Sequence, residues 1–173
     1  NKIQKLNVLY SELILDADLK LKSSYSQLGQ DLLVLKNTNW KSHGYFVEVG
    51  AAGGKKRSNT FMLEKNYNWN GILVEPSRYW QNIIKEHRKC NLDFRCVWHT
   101  SELKILFNEA SSHDYSTIDS FSDSDYHSRI RTKGKKYEVE TISLNDLLKF
   151  HKAPSIIDYL SIDTEGSEFD ILK

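Results

Sequence analysis

The stretch from Phe46 to Gly54, Phe-Val-Glu-Val-Gly-Ala-Ala-Gly-Gly, constrains the fold of this chain more than any other. Its first four residues are mostly apolar and partly β-branched, which suits a strand covered on both faces. Gly50, Gly53 and Gly54 allow positive φ angles and a close approach to a ligand. The pattern predicts a buried strand entering a glycine-rich turn, as in α/β folds that hold nucleotide cofactors. Ordinary tight turns also contain such glycines, so the turn alone is a weak signal.

Glu48 narrows the class of ligand that this turn can hold. Its carboxylate precedes Gly50 by two residues and lies at the exit of the predicted strand. A negative charge there repels a pyrophosphate and suits a cationic cofactor without phosphates. S-adenosylmethionine fits that description.

The rest of the chain alternates helix and strand patterns. Apolar residues at three- and four-residue steps over 3–22 predict a helix within an N-terminal segment, 1–24, which packs on its own domain or on a second subunit. We assign residues 25–173 to one domain. In it we predict helices capped at Ser26, Ser58–Thr60, Ser77 and Ser143, and strands over 46–49, 71–75, 94–99, 137–142 and 156–163.

This βαβ rhythm predicts an α/β fold with a mostly parallel, doubly wound sheet and helices on both faces. The chain stops about a turn into the helix that begins near Glu168, so we expect the C-terminal closing strands to be absent. Residues 103–140 interrupt the rhythm as an excursion rich in Ser, Asp and basic residues. We interpret the excursion as a solvated surface segment, with a mobile lid or a patch for an anionic substrate as alternatives.

Ligands of open parallel sheets bind beyond the carboxyl ends of the strands, which we predict at Gly50, Glu75, His99 and Asp163. An acid at Glu75, at the end of the second strand, can accept both hydroxyls of a ribose. Taken alone, Glu75 suits NAD as well as S-adenosylmethionine. Glu48 favours the latter, because NAD would bring its pyrophosphate to the glycine turn.

Six motifs, in this order, closely resemble the FkbM-type family of S-adenosylmethionine-dependent methyltransferases over residues 25–173. They are Ser26–Asp31, Phe46–Gly54, Ser58–Thr60, Leu63–Lys65, Trp69–Pro76 and Asp163–Glu168. The resemblance implies a Rossmann-like methyltransferase fold and O-methylation of a hydroxyl, often on a sugar, glycan or natural product. A small-molecule or glycan hydroxyl is therefore the expected acceptor.

The resemblance also implies the cofactor-binding residues, which are Gln27, Asp31, Glu48, Gly50, Ala51, Gly53, Asn59, Glu75, Pro76, Ser77, His99, Thr100 and Asp163. Glu48, Gly50 and Gly53 would hold the methionine end, and Glu75 the ribose. Pro76 and Ser77 would border the adenine, and His99 and Thr100 would contact its edge. Gln27 and Asp31 would belong to a helix that closes over the cofactor, although an ordinary polar helix face is the alternative.

An alcohol is a poor nucleophile near neutral pH, so a general base would assist the transfer. Glu165 is the first candidate, because it follows the last strand and precedes the Gly166 turn. Asp163, Glu168 and His99 are the others. Glu165 and Glu168 alternatively complement the dipole of the final helix. A divalent cation on these oxygens is a further alternative, but the spacing lacks additional His or carboxylate ligands, and we predict no metal.

Composition excludes some classes of function. The net charge of +1 gives no general reason to expect that the protein binds nucleic acid. No apolar run approaches the roughly 20 residues of a membrane helix. Cys90 and Cys96 lack metal-type spacing, and we expect reduced structural thiols in a cytoplasmic protein.

Three points stay open. The helix over 3–22 and an uncovered sheet edge both permit a homodimer. A non-catalytic cofactor-binding or interaction module is the main alternative to an enzyme. An NAD-binding oxidoreductase is the weaker one.

Overall fold

The computed structural model describes residues 23–173, so the helix predicted over 3–22 lies outside the described part of the chain. The strands are β1 Tyr45–Val49, β2 Asn70–Val74, β3 Asn91–Asp93, β4 Cys96–Val97, β5 Lys104–Glu109, β6 Thr117–Ile118, β7 Lys135–Ile142 and β8 Tyr159–Ile162. The helices are α1 Gln30–Asn37, α2 Phe61–Tyr67, α3 Trp80–His87, α4 Ser128–Arg131, α5 Leu144–Phe150 and α6 Glu168–Ile171. Single 3₁₀ turns span His113–Tyr115 and Asp119–Phe121.

The first sheet has the strand order β3-β2-β1-β8, and every pair of adjacent strands in it is parallel. Side chains alternate across β1, so Phe46 packs in one core and Val47 and Val49 in another. α1, α2 and α3 cover the Phe46 face, while Leu147 of α5 and Ile171 of α6 cover the other. The predicted α/β fold, with a parallel sheet and helices on both faces, is confirmed.

The second sheet has the order β4-β7-β5-β6. β5 pairs antiparallel with β7 from Lys104 opposite Glu140 to Glu109 opposite Lys135, and β4 pairs parallel with β7. Side chains of this sheet form a third apolar core, which consists of Cys96, Phe107, Ile118, Tyr137 and Val139. Residues 103–140 are therefore a packed part of the molecule, and our interpretation of a solvated excursion is wrong.

The third strand differs from its predicted position at 94–99. β3 ends at Asp93, where the carboxylate accepts hydrogen bonds from the backbone N–H and the guanidinium of Arg95 and turns the chain. Cys96 and Val97 then join β7 instead of β2. Residues 91–97 thus contribute strands to two different sheets, which a single periodic pattern does not distinguish.

The predicted helix caps have mixed outcomes. Ser143 caps α5, because its Oγ accepts the N–H of Asp146 at 3.1 Å. Ser58 Oγ accepts the N–H of Phe61, the first residue of α2, at 3.1 Å. Ser26 and Ser77 do not cap: the N-caps of α1 and α3 are Gly29 and Tyr79, and the two serine hydroxyls bond to carboxylates. Among residues 23–173, no helix has the length and apolarity to cross a membrane.

Candidate functional site

The carboxyl ends of β1, β2 and β8 open into one cleft, and residues from the segment between β5 and α4 line its other side. It consists of two adjoining pockets of about 370 Å³ and about 50 Å³. Five residues line both: Gly50, Ala52, Asp114, Asp163 and Glu165. The site lies where a parallel sheet is expected to bind its ligand.

Gly50 brings the end of β1 against the end of β8. Its φ is +82°, and a Cβ on it would lie 1.9 Å from the carbonyl oxygen of Asp163. Any other residue would meet both a steric clash and an unfavourable backbone conformation. The close approach seen here is to the backbone of Asp163, and the predicted close approach to a ligand stays a prediction.

The other glycines of the turn act differently. Gly54 has a positive φ of +69°. The residue between Gly50 and Gly54 that also has a positive φ is Ala52, at +44°, and not Gly53. Gly53 does not line either pocket and instead lies under the Trp80 ring, 3.0 Å from where its Cβ would be. Packing against α3, and not ligand contact, accounts for a glycine at position 53. Ala51 lines the larger pocket, and its predicted contact with the cofactor stays a prediction.

Glu48 is buried and anchors the loop that precedes α2. Its carboxylate accepts hydrogen bonds from Ser58 Oγ at 2.9 Å, Asn59 N at 2.8 Å and Thr60 Oγ1 at 2.5 Å. Arg88, itself buried, lies 3.7 Å away and pairs with Glu64 at 2.6 Å. Two carboxylates share one guanidinium, so negative charge remains at the wall of the larger pocket.

Asn59 carries an unused acceptor. Its side chain is buried and donates from Nδ2 to Ser161 Oγ at 2.9 Å, while Oδ1 has no hydrogen-bond partner within residues 23–173. Buried polar atoms are seldom left without a partner. Because Asn59 lines the larger pocket, a ligand N–H or O–H group would satisfy Oδ1.

Glu75 lies at the polar end of the smaller pocket. Its two oxygens accept the backbone N–H groups of Ala52 at 2.8 Å and Ser77 at 2.9 Å. Burial raises the pKa of Glu75 to about 7 despite those two bonds. The remaining wall is largely apolar and comes from both sheets; it includes Val49, Pro76, Cys96, Val97, Phe107 and Ile118.

Asp163 and Glu165 face the cleft, and Glu168 does not. Desolvation raises the pKa of both Asp163 and Glu165, with a further contribution from Glu168 to the first and from Asp163 to the second. Glu168 instead accepts the N–H groups of Thr164 at 2.7 Å and Gly166 at 3.1 Å. These bonds hold the loop that carries Glu165, and they lower the pKa of Glu168.

Of five other predicted site residues, four lie outside both pockets and one, Gln27, lines the larger pocket. His99 and Thr100 are exposed after β4 and bond to each other at 2.7 Å, outside the cleft, because the strand before them belongs to the second sheet. Asp31 is buried and accepts from Ser24, Tyr25 and Ser26, so it organises that segment. Ser77 is buried behind Glu75, whereas Gln27 lines the larger pocket.

The sequence prediction missed one wall of the cleft. This wall is lined by His113, Asp114 and Tyr115 from the 3₁₀ turn between β5 and β6 and by His127 just before α4, and Asp114 pairs across the cleft with Arg57 at 3.4 Å. Their only signal is the Ser- and Asp-rich composition of 111–128, which equally describes a surface loop. In the part of the chain from 23 to 173, no three His, Cys, Asp or Glu side chains are arranged to hold a metal ion.

Comparison with known proteins identifies the family. A family model described as Methyltransferase FkbM domain matches residues 48–173, which include Glu48, Glu75, Asp163 and every strand after β1. Searches of curated proteins and of solved structures returned no match. The match spans well over half of the chain, and the chain therefore belongs to the FkbM family of methyltransferases.

Proposed function

We propose that this methyltransferase uses S-adenosylmethionine and methylates a hydroxyl on a sugar, glycan or natural product. The division of the cleft into two unlike halves is the observation that supports the proposal. The smaller half is an apolar slot ending at Glu75, and the larger half is polar and acidic. S-adenosylmethionine has the same division, with a purine at one end and a cationic sulfonium beside an amino acid at the other.

The residues of the smaller pocket suit an adenosine. The apolar side chains of Val97, Phe107 and Ile118 can pack on a purine ring, and because the pocket measures about 50 Å³ here, they must move apart to admit it. Each oxygen of Glu75 accepts one N–H and keeps a second acceptor site, so the carboxylate can receive two ribose hydroxyls. A positively charged ligand nearby would also favour the ionised form of Glu75, whose pKa burial raises to about 7.

The larger pocket suits a cationic ligand better than a dinucleotide. Four carboxylates line it (Glu48, Asp114, Asp163 and Glu165) against two fixed cations, Lys56 and Arg57. The excess of negative charge attracts a sulfonium and an ammonium group and repels a pyrophosphate. Asn59 Oδ1 would accept from the ammonium group, and Lys56 or Arg57 would hold the carboxylate of the same amino acid end.

When bound, S-adenosylmethionine supplies a methyl group on a sulfur that leaves as a neutral thioether. Positioning contributes much of the rate of such a transfer. Glu165 is our candidate base for the acceptor hydroxyl: Arg131 bonds to Oε2 at 3.0 Å, so Oε1 is the atom that takes the proton. Its raised pKa makes Glu165 a better base than an exposed glutamate. Asp163 stands beside it and favours cationic ligands.

Isothermal calorimetry with S-adenosylhomocysteine and with NAD tests the proposal. We expect the first to bind and the second not to bind. Glu75→Gln places an amide NH₂ against a backbone N–H, and it should weaken S-adenosylhomocysteine binding about 10- to 100-fold.

Glu138→Gln is the matched control, because Glu138 is an exposed residue of β7 outside both pockets of the cleft. This variant should bind S-adenosylhomocysteine with the affinity of the parent protein. Binding of NAD alone would favour an oxidoreductase. Tight S-adenosylhomocysteine binding without methyl transfer to any hydroxyl acceptor in a radiolabel screen would favour the non-catalytic module.

A further inference from the structure

A buried arginine connects the second sheet to the catalytic side of the cleft. Arg131, the last residue of α4, is 1% exposed. Its guanidinium donates from Nε to the carbonyl of Tyr115 at 2.8 Å and from Nη2 to Glu165 Oε2 at 3.0 Å. The first acceptor belongs to the wall from the second sheet and the second to the loop after β8. Arg131 thus fixes both sides of the larger pocket relative to each other.

Asp125 accepts more hydrogen bonds from the Arg131 guanidinium than Glu165 does. Its two oxygens accept from Nη1 at 2.8 Å and from Nη2 at 2.9 Å, which is the bidentate geometry of a strong guanidinium–carboxylate pair. Glu165 receives a single bond from the same Nη2 atom. The negative charge of Asp125 therefore already balances the positive charge of Arg131, and Glu165 is a second carboxylate on the same guanidinium.

The groups around Glu165 leave its carboxylate with little net stabilisation. Burial opposes the ionised form most, Asp163 on its own loop opposes it next, and Asp125 beside α4 adds a smaller opposing effect, while Arg131 and His127 favour the ionised form. Lys56, Arg57, Glu48 and Asp114 also line the larger pocket, and Arg57 pairs with Asp114 at 3.4 Å. A carboxylate that meets an unshared arginine normally has a strongly lowered pKa, whereas burial, with the neighbouring carboxylates, raises the pKa of Glu165 despite its bond to Arg131.

We propose that Arg131 and Asp125 act together as positioning residues for Glu165. Arg131 holds the Glu165 carboxylate at the cleft, and Asp125 offsets the arginine charge so that Glu165 stays basic enough to accept a proton. The use of that proton acceptor in methyl transfer rests on the function proposed above, but the arrangement of the three side chains and its electrostatic consequence do not.

The test is a titration of the Glu165 side-chain carboxyl by ¹³C NMR, with its signal assigned by its loss in Glu165→Gln. In the parent protein we expect a pKa above the ordinary value of about 4.3. In Asp125→Asn, the arginine charge acts on Glu165 with less opposition, and the pKa should fall by about 0.5 to 1 unit.

Asp123→Asn is the matched control, because Asp123 lies two residues away, is exposed, and undergoes the same change of charge. The Glu165 pKa should remain at the parent value in that variant. A parent pKa below about 4.3 overturns the proposal without any variant, and so does an equal shift in Asp123→Asn and Asp125→Asn. The titration needs no cofactor, so failure of this inference and failure of S-adenosylhomocysteine binding are separate results.

Discussion

At the scale of single residues, the cleft depends on a direct contact between two backbone segments, at Gly50 and Asp163, with no side chain between them. Gly50 combines a positive φ with a contact to the Asp163 backbone that leaves no room for a Cβ. Ala51 follows it and donates its N–H to the carbonyl of Val74 at 3.2 Å. The ends of β1, β2 and β8 are thus held together around one glycine, and Glu75 and Asp163 are brought to the same cleft.

Gly50→Ala should destabilise the fold and open this junction. The substitution places a methyl group 1.9 Å from the Asp163 carbonyl oxygen and forces alanine into the left-handed region. We expect a loss of about 3 kcal/mol in the free energy of unfolding, measured by urea denaturation.

Gly29→Ala separates the two causes. Gly29 has a similar φ of +78°, but no heavy atom lies within 4 Å of the place that a Cβ would occupy, so only the backbone cost of about 1 kcal/mol applies. Equal losses in the two variants would mean that the contact with Asp163 does not constrain the junction.

At the scale of elements, the second sheet is attached to the first through the segment before α3. Glu109 of β5 accepts hydrogen bonds from Ser77 Oγ at 3.2 Å and from Tyr137 Oη of β7. The same Tyr137 hydroxyl accepts the N–H of Arg78 at 3.0 Å. These bonds join β5 and β7 to the loop directly after Glu75, and so fix the second sheet over the smaller pocket.

Tyr137→Phe should weaken this attachment. The variant removes one donor to Glu109 and one acceptor for Arg78 while keeping the ring in the apolar core. We expect a loss of about 1.5 kcal/mol, or a fall in Tm of about 3 to 6 °C in thermal denaturation. Tyr126→Phe is the control, because Tyr126 is fully exposed and its loss should stay within about 0.5 kcal/mol. Similar Tm values for both variants would contradict the role of Tyr137.

The sequence predicted the first sheet better than the second for a physical reason. β1 is an apolar strand that contains Glu48 and runs into the glycine turn, and β2 is an apolar strand followed directly by Glu75, so each strand and its functional end are visible together in the sequence. β4 has two residues and β6 has two, too few to show any period. Arg131 stands in a basic run that resembles a solvated surface, and only tertiary pairing with Asp125 and Glu165 explains its burial.

The same limit applies within the site. Glu75 and Asp163 were predicted because they end parallel strands, and both line the cleft. His99 was predicted by the same rule and lies elsewhere, because β4 pairs with β7 and not with β2 or β3. The rule depends on which sheet a strand joins, and local sequence does not contain that information. Glu168, a candidate base, bonds to Thr164 and Gly166 and supports the site from behind.

At the scale of the whole molecule, the cleft is a junction of two sheets with different tasks. The parallel sheet supplies Glu75, Asp163 and Glu165 from its strand ends, and the mixed sheet and its loops supply most of the apolar slot and the opposite wall. The Arg131 interactions and the Arg57–Asp114 pair cross between the two sides. Under the proposed function, the first sheet holds the cofactor and the second encloses it and borders the acceptor.

A crystal structure with S-adenosylhomocysteine tests this account most directly. It should place the ribose hydroxyls within about 3 Å of the Glu75 carboxylate and the adenine between Val97 and Phe107. The thioether sulfur should face Asp163 and Glu165. A ligand bound outside the cleft, or one whose ribose makes no contact with Glu75, would contradict the account.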